Sequence, residues 1–457
     1  MDTFKDAKNQ LFIALCLNIG NIMIGYSVGW LSPVLPKLQD KNQTPLPYVL
    51  DIENGSWVGS SFNIGLILGP YLAGNVANVL GRKRCILLAG LIATIGHVLL
   101  MTARNLPMIL GGRMITGFGG GMICVTNMIY IGEMASTNIR GIILSSTGVF
   151  HCFGSLLVYC VGPYVSYSAV GCLLLSISVL HLIGCMYIPE SPIYHLIKGR
   201  EDETIAVLNY LGRSKDTEEL KTLLHLTKLS QEEQEWNWRE IFTVKSNRKS
   251  FFIVTLVFIL QQCCGMLAAL YFTTNIFKSA GSSIEPALAT IITGVTQLAG
   301  TIIVPGIIEK AGRKTLLLVS TTGCCFSMTV LGAYFYLQRI NHPTLENLGW
   351  LPLASLMTAF FSFSIGLNII PNALIGELFR SNVRSVGSSL AFTMGCLTGF
   401  ASLTSFGYII KALSYDILFW MFAGVNAIGF VFILIVVPET KGLSLAEIQM
   451  KLERGRG

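Results

Sequence analysis

Long apolar stretches, separated by short polar loops, recur along almost the whole chain. A helix needs about 20 mostly apolar residues to cross the hydrocarbon core of a bilayer. Twelve stretches reach that length, and we number them spans 1 to 12, at residues 11–32, 56–77, 85–103, 107–130, 141–163, 167–188, 251–276, 284–307, 315–337, 350–375, 386–410 and 416–437. The pattern predicts an all-α membrane protein with twelve transmembrane helices.

One long polar stretch divides the spans six and six. It runs from about 190 to 250, carries ten Lys and Arg residues, and shows helical periodicity at 201–211 and 217–229. We interpret it as a helical insert in the cytoplasm, with a passive linker as the alternative. The expected domains are an N-terminal six-helix half at 1–188, the cytoplasmic helical insert at 189–250, a C-terminal six-helix half at 251–437 and a cytoplasmic tail at 438–457.

Basic residues are distributed unevenly between the two sets of loops. Only 12% of residues are charged, and the net charge is +7. The basic residues lie mostly in one set of loops, which indicates orientation in a membrane rather than binding to nucleic acid. With both termini in the cytoplasm, only six of the 32 Lys and Arg residues lie outside: Lys37, Lys41, Arg104, Lys278, Arg339 and Lys411. We therefore expect a multi-pass protein, in the plasma membrane, with both termini cytoplasmic.

Three short signatures occur once in each half of the chain, in the same order. They are Gly81-Arg82-Lys83 and Gly312-Arg313-Lys314, Glu133 with Arg140 and Glu377 with Arg384, and Pro189-Glu190 and Pro438-Glu439. Matched motifs after spans 2 and 8, 4 and 10, and 6 and 12 indicate two structural repeats. Two parallel six-helix repeats predict the major facilitator fold, with substrate held between the repeats near the bilayer midplane.

Taken together, the motifs resemble those of the sugar porter family of the major facilitator superfamily. The matching segments are Gly112-Arg113 with Gly117, Gly119 and Gly121, Tyr130 through Glu133, Arg140-Gly141, PESP at 189–192, Gln261-Gln262 through Gly265, and PETKGLSLAEI at 438–448. The segment 53–60 also resembles the insect facilitated trehalose transporter branch. The resemblance implies a transporter that moves a small-molecule sugar through the lipid bilayer by alternating access.

The resemblance also implies a substrate site on the spans of the second half. Gln261 and Gln262 match the paired glutamines of the family in span 7, and their amides can both donate to and accept from sugar hydroxyls. Gln297 stands where the family has an Asn in span 8. Asn368 and Asn372 lie in the span 10 segment that in the family reads like GPGPIPW. We expect these five side chains to bind the substrate.

Several sugar-facing positions depart from the family pattern. Leu267 replaces an Asn, Gly395-Cys396 replaces Asn-Trp, Gly148 replaces a Gln, and the span 10 segment keeps Pro371 but lacks the tryptophan. The smaller side chains at 148, 395 and 396 predict a larger and less polar pocket than the family norm. Because an aromatic face packs on the apolar side of a sugar ring, the missing tryptophan predicts a substrate whose shape differs from glucose. Hexose, trehalose, polyol and non-sugar organic substrates all remain open.

Family-matching charged and aromatic residues are expected to form two gates. Tyr271 and Phe272 resemble the extracellular gate. The expected cytoplasmic gate consists of Arg82, Arg113, Glu133, Arg140, Glu190, Arg313, Glu377, Arg384 and Glu439. Arg113, within span 4, is expected near its cytoplasmic third. Ion pairs among these groups would hold helix ends together in the outward-facing state and break in the inward-facing state. The alternative is a solvated positive rim.

Proton-coupled sugar porters resemble one another in an Asp of span 1, which this chain lacks. Gly25-Tyr26 is followed here by Ser27, which cannot titrate near neutral pH. Three histidines in apolar spans could relay protons, but none has a carboxylate in its own span: His97, His151 and His181. We therefore expect facilitated diffusion. The alternatives are a proton-coupled symporter and a non-transporting sugar sensor of the same fold.

Other candidate chemistry is sparse. Asn42-Gln43-Thr44 is an N-glycosylation sequon on the predicted outer side. The pairs Cys263-Cys264 and Cys324-Cys325 have no further cysteine or histidine at metal-ligand spacing, so we expect neither a metal site nor a cofactor. No nucleophile or carboxylate pair stands at catalytic spacing. We expect neither an enzyme nor an obligate protein partner.

Overall fold

The structure is a computed structural model of the 457-residue chain. It describes residues 8–213, 240–282, 284–379, 381–443, 447, 448, 450 and 452, without the side chains at 137, 138, 309, 381, 382, 384 and 385. The helix predicted at 217–229 and most of the tail beyond 443 lie outside the described residues.

Twelve helices of the described ranges are long and apolar enough to cross a membrane, as predicted. Spans 1 to 12 occupy Lys8–Leu38, Ile52–Leu80, Arg82–Met101, Leu106–Met134, Ile139–Tyr164, Tyr167–Tyr187, Lys245–Ala280, Pro286–Ile308, Arg313–Arg339, Leu351–Leu378, Val386–Ala412 and Tyr415–Val436. The described residues contain no strand. Span 7 begins six residues earlier than predicted, because hydropathy marks the edge of the apolar core whereas helical hydrogen bonding continues into the polar segment beyond it.

Three spans are interrupted helices. Span 1 consists of Lys8–Gly29 and Leu31–Leu38, span 7 of Lys245–Cys263 and Met266–Ala280, and span 10 of Leu351–Ile365 and Ile370–Leu378. At the break of span 7, Gly265 has φ +91°, a conformation that glycine adopts without steric cost. Interrupted helices are tolerated in membranes where the freed backbone groups find other partners. The partners at spans 7 and 10 belong to the candidate site.

The residues group into two compact units. The first comprises Met1–Ser27, Ile64–Gly154 and Ser168–Trp236, and the second comprises Val28–Asn63, Ser155–Tyr167 and Asn237–Gly457. Parts of spans 1, 2 and 5 therefore belong to the same unit as spans 7 to 12. The domain boundaries drawn from the sequence at 188 and 251 stay a prediction.

In the first unit, the turn between spans 2 and 3 depends on a glycine. Gly81 has φ +102°, and a Cβ at this position would collide with the Glu190 carboxylate. Glu190 Oε1 accepts hydrogen bonds from the backbone N–H groups of Arg82 at 2.8 Å and Lys83 at 3.0 Å. Free N–H groups and the helix dipole make a helix N-terminus favourable for a carboxylate. The Gly-Arg-Lys motif therefore binds the carboxylate that follows span 6.

The second unit repeats this arrangement between spans 8 and 9. Gly312 has φ +89°, and a Cβ there would lie 2.5 Å from Glu439 Oε2. Glu439 accepts from the N–H groups of Arg313 at 3.0 Å and Lys314 at 3.1 Å. We call the end of the spans that carries Arg82 and Arg313 the inner end, and the opposite end the outer end.

The described part of the insert forms two short helices, Pro192–Ile197 and Glu201–Tyr210, the second of which was predicted. Gln10 in span 1 donates from Nε2 to the Leu211 carbonyl at 2.8 Å and accepts from Ser136 N at 2.9 Å. Arg213 donates to the carbonyls at the end of span 4, at 3.0 and 3.1 Å. These bonds hold the described start of the insert on the inner ends of spans 1 and 4.

Candidate functional site

The inner end of the first repeat carries a buried ion pair. Arg82 Nη2 lies 2.8 Å from Glu133 Oε1, and the two side chains expose 6% and 11% of their surface. Ser191 Oγ donates to Glu133, and Arg82 also donates to the Ala77 carbonyl at 3.2 Å. Removing one partner of such a pair leaves a buried charge uncompensated. The pair therefore joins spans 3 and 4 to the start of the insert.

The second repeat has the same cluster. Arg313 Nε donates to Glu377 Oε1 at 2.8 Å, and Thr440 Oγ1 donates to Glu377 Oε2 at 2.6 Å. Thr440 thus takes the position that Ser191 has in the first repeat. Sequence reasoning did not single out these two hydroxyls, although both directly follow the Pro-Glu motif.

The other residues predicted for the cytoplasmic gate differ from one another in their contacts. Arg140 donates from Nη2 to the Ala135 carbonyl at 3.2 Å, and no acid pairs with it among the residues that the structure describes. The Arg384 side chain lies outside the described part. The carboxylates of Glu190 and Glu439 are occupied by backbone N–H groups. The described ion pairs of the inner end therefore form within each repeat, and their role as a latch stays a prediction.

Arg113 lies far from the inner-end clusters, which corrects its expected position. It is close to the start of the helix Leu106–Met134, about 10 Å along the axis from the outer end and about 30 Å from the inner end. The side chain is fully buried, and Nη1 donates to the Ser27 carbonyl. We therefore separate Arg113 from the cytoplasmic gate. The position of Arg113 near the outer start of the span predicted at 107–130 already implies this depth.

His97 is bound by two hydroxyls beside Arg113. Its Nε2 lies 3.2 Å from Ser27 Oγ and its Nδ1 lies 2.6 Å from Ser178 Oγ. His181 lies 3.6 Å from the Cys185 thiol. No carboxylate contacts these two histidines among the described residues, so neither has the acidic partner that a proton relay within the bilayer requires.

The breaks in spans 7 and 10 are joined by one predicted ligand. Gln261 Nε2 donates to the Leu367 carbonyl at 2.8 Å and to the Asn368 carbonyl at 3.3 Å, in the non-helical turn of span 10. Ser320 Oγ accepts from Leu367 N at 3.1 Å, and Asn426 Nδ2 donates to the Cys264 carbonyl at 2.9 Å in the break of span 7. These bonds satisfy backbone groups that the interrupted helices expose.

The remaining side-chain amides of the predicted ligands are unpaired. Gln262, Asn368 and Asn372 make no side-chain hydrogen bond within the described ranges. The same holds for Gln297, which exposes only 5% of its surface and whose Oε1 is completely buried. Buried polar atoms usually have a hydrogen-bond partner, and exceptions need an explanation. Four amides from spans 7, 8 and 10 therefore leave free donors and acceptors in one unit, suited to a polyhydroxylated molecule.

Gly399 in span 11 is a site residue that sequence reasoning missed. A Cβ at this position would lie 2.8 Å from Gln262 Oε1 and 3.2 Å from a methyl group of Leu267. Only glycine lets span 11 approach the Gln262 amide this closely without displacing it. No local sequence pattern predicts this contact, because it joins two spans far apart in the chain.

Both predicted outer-gate aromatics are buried. Tyr271 exposes 1% of its surface and Phe272 none. Phe272 interrupts the helix with φ −116° and ψ 15°, and its ring stacks on Phe406 of span 11 with centroids 4.2 Å apart. The hydroxyl of Tyr159 in span 5 donates to the Leu270 carbonyl at 3.1 Å. The second unit is therefore closed over these aromatics at its outer end.

Hydroxyls and amides extend this outer closure between spans 1 and 7. Ser32 Oγ lies 3.0 Å from Thr274 Oγ1, which lies 3.2 Å from Thr290 Oγ1. Asn275 Nδ2 donates to Gln39 Oε1 at 2.8 Å. These polar contacts were not predicted, since single hydroxyls in apolar spans carry no pairing signal.

Spans 2 and 11 form a second, unpredicted part of the outer closure. Trp57 Nε1 donates to Tyr408 Oη at 3.1 Å, and Lys411 Nζ lies 2.9 Å from Glu53 Oε1. Gly407 N donates to Ser56 Oγ at 2.9 Å, and a Cβ at Gly407 would lie 2.6 Å from that oxygen. The segment 53–60, which suggested the trehalose transporter branch, thus contributes to these contacts at the outer end.

Comparison with known families identifies the chain. Residues 13–452 match the family model described as "Sugar (and other) transporter". The chain belongs to this sugar transporter family. The resemblance inferred from the motifs is thereby confirmed.

Two curated insect relatives in this family match nearly the full chain. The facilitated trehalose transporter Tret1 of Culex quinquefasciatus is 31% identical over 98% of this chain and 86% of its own length. The facilitated trehalose transporter Tret1 of Bombyx mori is 32% identical over 98% of this chain and 87% of its own length. Other relatives are longer, and the chain spans 57% or 53% of their length.

A solved structure confirms the fold expected for the family. The xylose transporter XylE from E. coli, in a partially occluded inward open conformation, matches with a TM-score of 0.79. The match covers 95% of this chain and 99% of that chain at 22% sequence identity. The predicted major facilitator fold is therefore correct.

Replacing Glu133 by Gln is expected to slow uptake several-fold at equal surface amount, because the buried Arg82 charge loses its carboxylate partner. Uptake per surface molecule, measured in cells with a surface-labelling assay, checks this. The matched control is Glu203→Gln, whose side chain is 51% exposed and should leave the rate unchanged. Equal rates for Glu133→Gln and the unsubstituted protein would reject the role of the inner cluster.

Replacing Gly407 by Val is expected to separate the outer ends of spans 2 and 11, because its Cβ would collide with Ser56 Oγ and the Ile52 carbonyl. Hydrogen–deuterium exchange of Met266–Ala280 should then become faster. Gly424→Val in span 12 is the control, since a Cβ there meets nothing within 4 Å. Unchanged exchange in the Gly407 variant would show that these contacts do not close the outer end.

Proposed function

We propose that this protein carries a neutral, polyhydroxylated sugar across the plasma membrane by facilitated diffusion through alternating access. The observation that carries the proposal is the set of unpaired amides at the breaks of spans 7 and 10, with Gln297 Oε1 completely buried and without a partner in the described residues. An amide offers both donors and an acceptor, which suits a molecule whose hydroxyls also do both.

The character of the site favours a neutral substrate. Its five predicted ligands, Gln261, Gln262, Gln297, Asn368 and Asn372, are all uncharged. An anionic or cationic substrate would need a compensating charge, which none of these five side chains supplies. A sugar or polyol needs only hydrogen bonds.

Trehalose is the first substrate to test. The family relatives from Culex quinquefasciatus and Bombyx mori are named facilitated trehalose transporters, at 31% and 32% identity. In this chain Asn372 stands where sugar porters usually have a tryptophan, and Gly399 keeps span 11 close to Gln262. Hexoses and polyols form the comparison set, because these departures change the shape of the pocket.

The closed outer gate supports alternating access. Tyr271 and Phe272 are buried, and Trp57 and Lys411 link spans 2 and 11. Substrate can reach the amides from the outer side only if these contacts break. The inner-end ion pairs would set how readily the opposite closure forms.

The surroundings of Ser27 support uniport over proton symport. Ser27 stands at the position where proton-coupled sugar porters have an Asp, and its carbonyl accepts from Arg113. His97 is bound to two hydroxyls and contacts no carboxylate among the described residues. Position 27 therefore carries no side chain that changes its charge near neutral pH.

The charge bias supports an orientation with both termini in the cytoplasm, so that the inner end faces the cytoplasm. Asn42 would then lie outside, in an exposed turn where its N–H donates to Asp40 Oδ1 at 2.9 Å. Its side chain is accessible for N-glycosylation.

Alanine at Gln262 or Gln297 is expected to raise the KM for the transported sugar about fivefold each, because each substitution removes a hydrogen bond worth about 1 kcal/mol. Initial rates of radiolabelled uptake into proteoliposomes measure this. The control is Gln338→Ala, whose amide binds the Ser279 carbonyl at the outer end and should leave KM unchanged. An unchanged KM in both site variants would exclude these amides as ligands.

Uptake of a panel of trehalose, hexoses and polyols is expected to continue when a proton gradient is removed. The reason is that the chain lacks the span 1 Asp of proton-coupled members. Proteoliposomes with an imposed inward proton gradient, measured with and without an uncoupler, provide the measurement. Collapse of uptake with the uncoupler would show proton symport, and no uptake of any sugar or polyol would overturn the substrate class.

A further inference from the structure

A cavity lies at the outer end of the second unit. It has a volume of about 460 Å³ and is lined by the outer half of span 1, the loop that follows it, and span 7. Its charged lining residues are three lysines, Lys37, Lys41 and Lys278, and one aspartate, Asp40. Three positive charges and one negative charge leave this lining with a net charge of +2.

Lys37 is the unusual member of this set. The residue exposes only 6% of its surface, yet no carboxylate lies within ion-pair distance of it in the described part of the chain. Its Nζ donates one hydrogen bond, to the Pro163 carbonyl at 3.2 Å. An ammonium group has three donors, so two remain for the cavity that the side chain lines. Burial of an ammonium without an acidic partner is unfavourable unless another negative group compensates it.

Asp40 does not provide that compensation. Its Oδ1 accepts from the N–H of Asn42 at 2.9 Å, and its Oδ2 accepts from Gln43 Nε2 at 3.0 Å. The carboxylate is therefore used to hold the loop after span 1. Lys41 and Lys278 also form no ion pair with a described acid, so three cations face one cavity without a carboxylate partner.

Two residues that line the cavity take part in the polar contacts between spans 1 and 7. Thr274 lines the cavity and is hydrogen-bonded to both Ser32 and Thr290. Gln39 also lines it and accepts from Asn275 of span 7. A ligand that binds Lys37 and Lys278 at once would add a bridge between spans 1 and 7. Binding that needs both spans together favours the closed outer gate.

We propose that this cavity is a site for a small oxyanion, a soluble phosphate or carboxylate, whose binding stabilises the closed outer gate. The ligand is distinct from the transported sugar, because the predicted sugar ligands are uncharged amides whereas this site presents cations. Charge-assisted hydrogen bonds from ammonium groups are the expected contacts. Phosphate at the outer face would thus slow the return of the carrier to the outward-open state.

The first test is thermal unfolding of the purified protein in phosphatidylcholine nanodiscs, with sodium chloride replaced stepwise by sodium phosphate at constant ionic strength. A saturable rise of Tm is expected. Lys37→Gln should weaken the apparent affinity about tenfold, as the loss of a charge-assisted contact requires. Lys278→Gln, at an exposed residue, should weaken it several-fold and covers the case in which the Lys37 variant does not fold. Arg104→Gln, outside the cavity, should behave like the unsubstituted protein.

The second test is hydrogen–deuterium exchange of Met266–Ala280, which phosphate should slow in the unsubstituted protein and not in Lys278→Gln. An unsaturable effect, or an equal effect in Lys278→Gln and Arg104→Gln, would overturn the proposal. So would stabilisation that requires phosphatidylglycerol in the nanodisc and is absent with soluble phosphate, because the ligand would then be a lipid headgroup. None of these readouts depends on sugar transport.

Discussion

The capture of a carboxylate by the start of a helix is the interaction on which both repeats depend. Glu190, after span 6, binds the first N–H groups of span 3, and Glu439, after span 12, binds those of span 9, at 2.8 to 3.1 Å. Glycines with positive φ make room for them. The capture fixes the ends of spans 6 and 12 and places Arg82 and Arg313 against their acids. The same geometry in both units explains why three motifs recur along the chain.

The interrupted helices place polar groups within the apolar interior of the protein. In spans 7 and 10 the break is stabilised by Gln261, which gives its N–H groups to the span 10 backbone. This residue therefore positions the site, and it leaves the other four amides to meet a substrate. Rigid support from one amide and free hydrogen-bonding capacity in its neighbours are what a selective sugar site needs.

Sequence reasoning succeeded where the signal lies within a short segment. Hydropathy gave the twelve spans, and the motifs gave the repeats, the family and the Arg82 and Arg313 clusters. It failed where the cause is a contact between distant segments. The closure by Trp57 and Tyr408, the approach of Gly399 to Gln262, and the buried Lys37 all join positions whose spacing carries no pattern. The expected position of Arg113 was wrong because the motif resemblance carries no information on depth along span 4.

Binding of sugar to the purified protein tests the central claim most directly, because it requires neither orientation in a vesicle nor a complete transport cycle. Isothermal titration with trehalose and the comparison sugars should give saturable binding of at least one of them. Substituting Ala for both Gln262 and Gln297 should abolish that binding in a protein that unfolds at the same temperature. Absence of saturable binding for every sugar and polyol, or equal binding by the doubly substituted protein, would contradict the account.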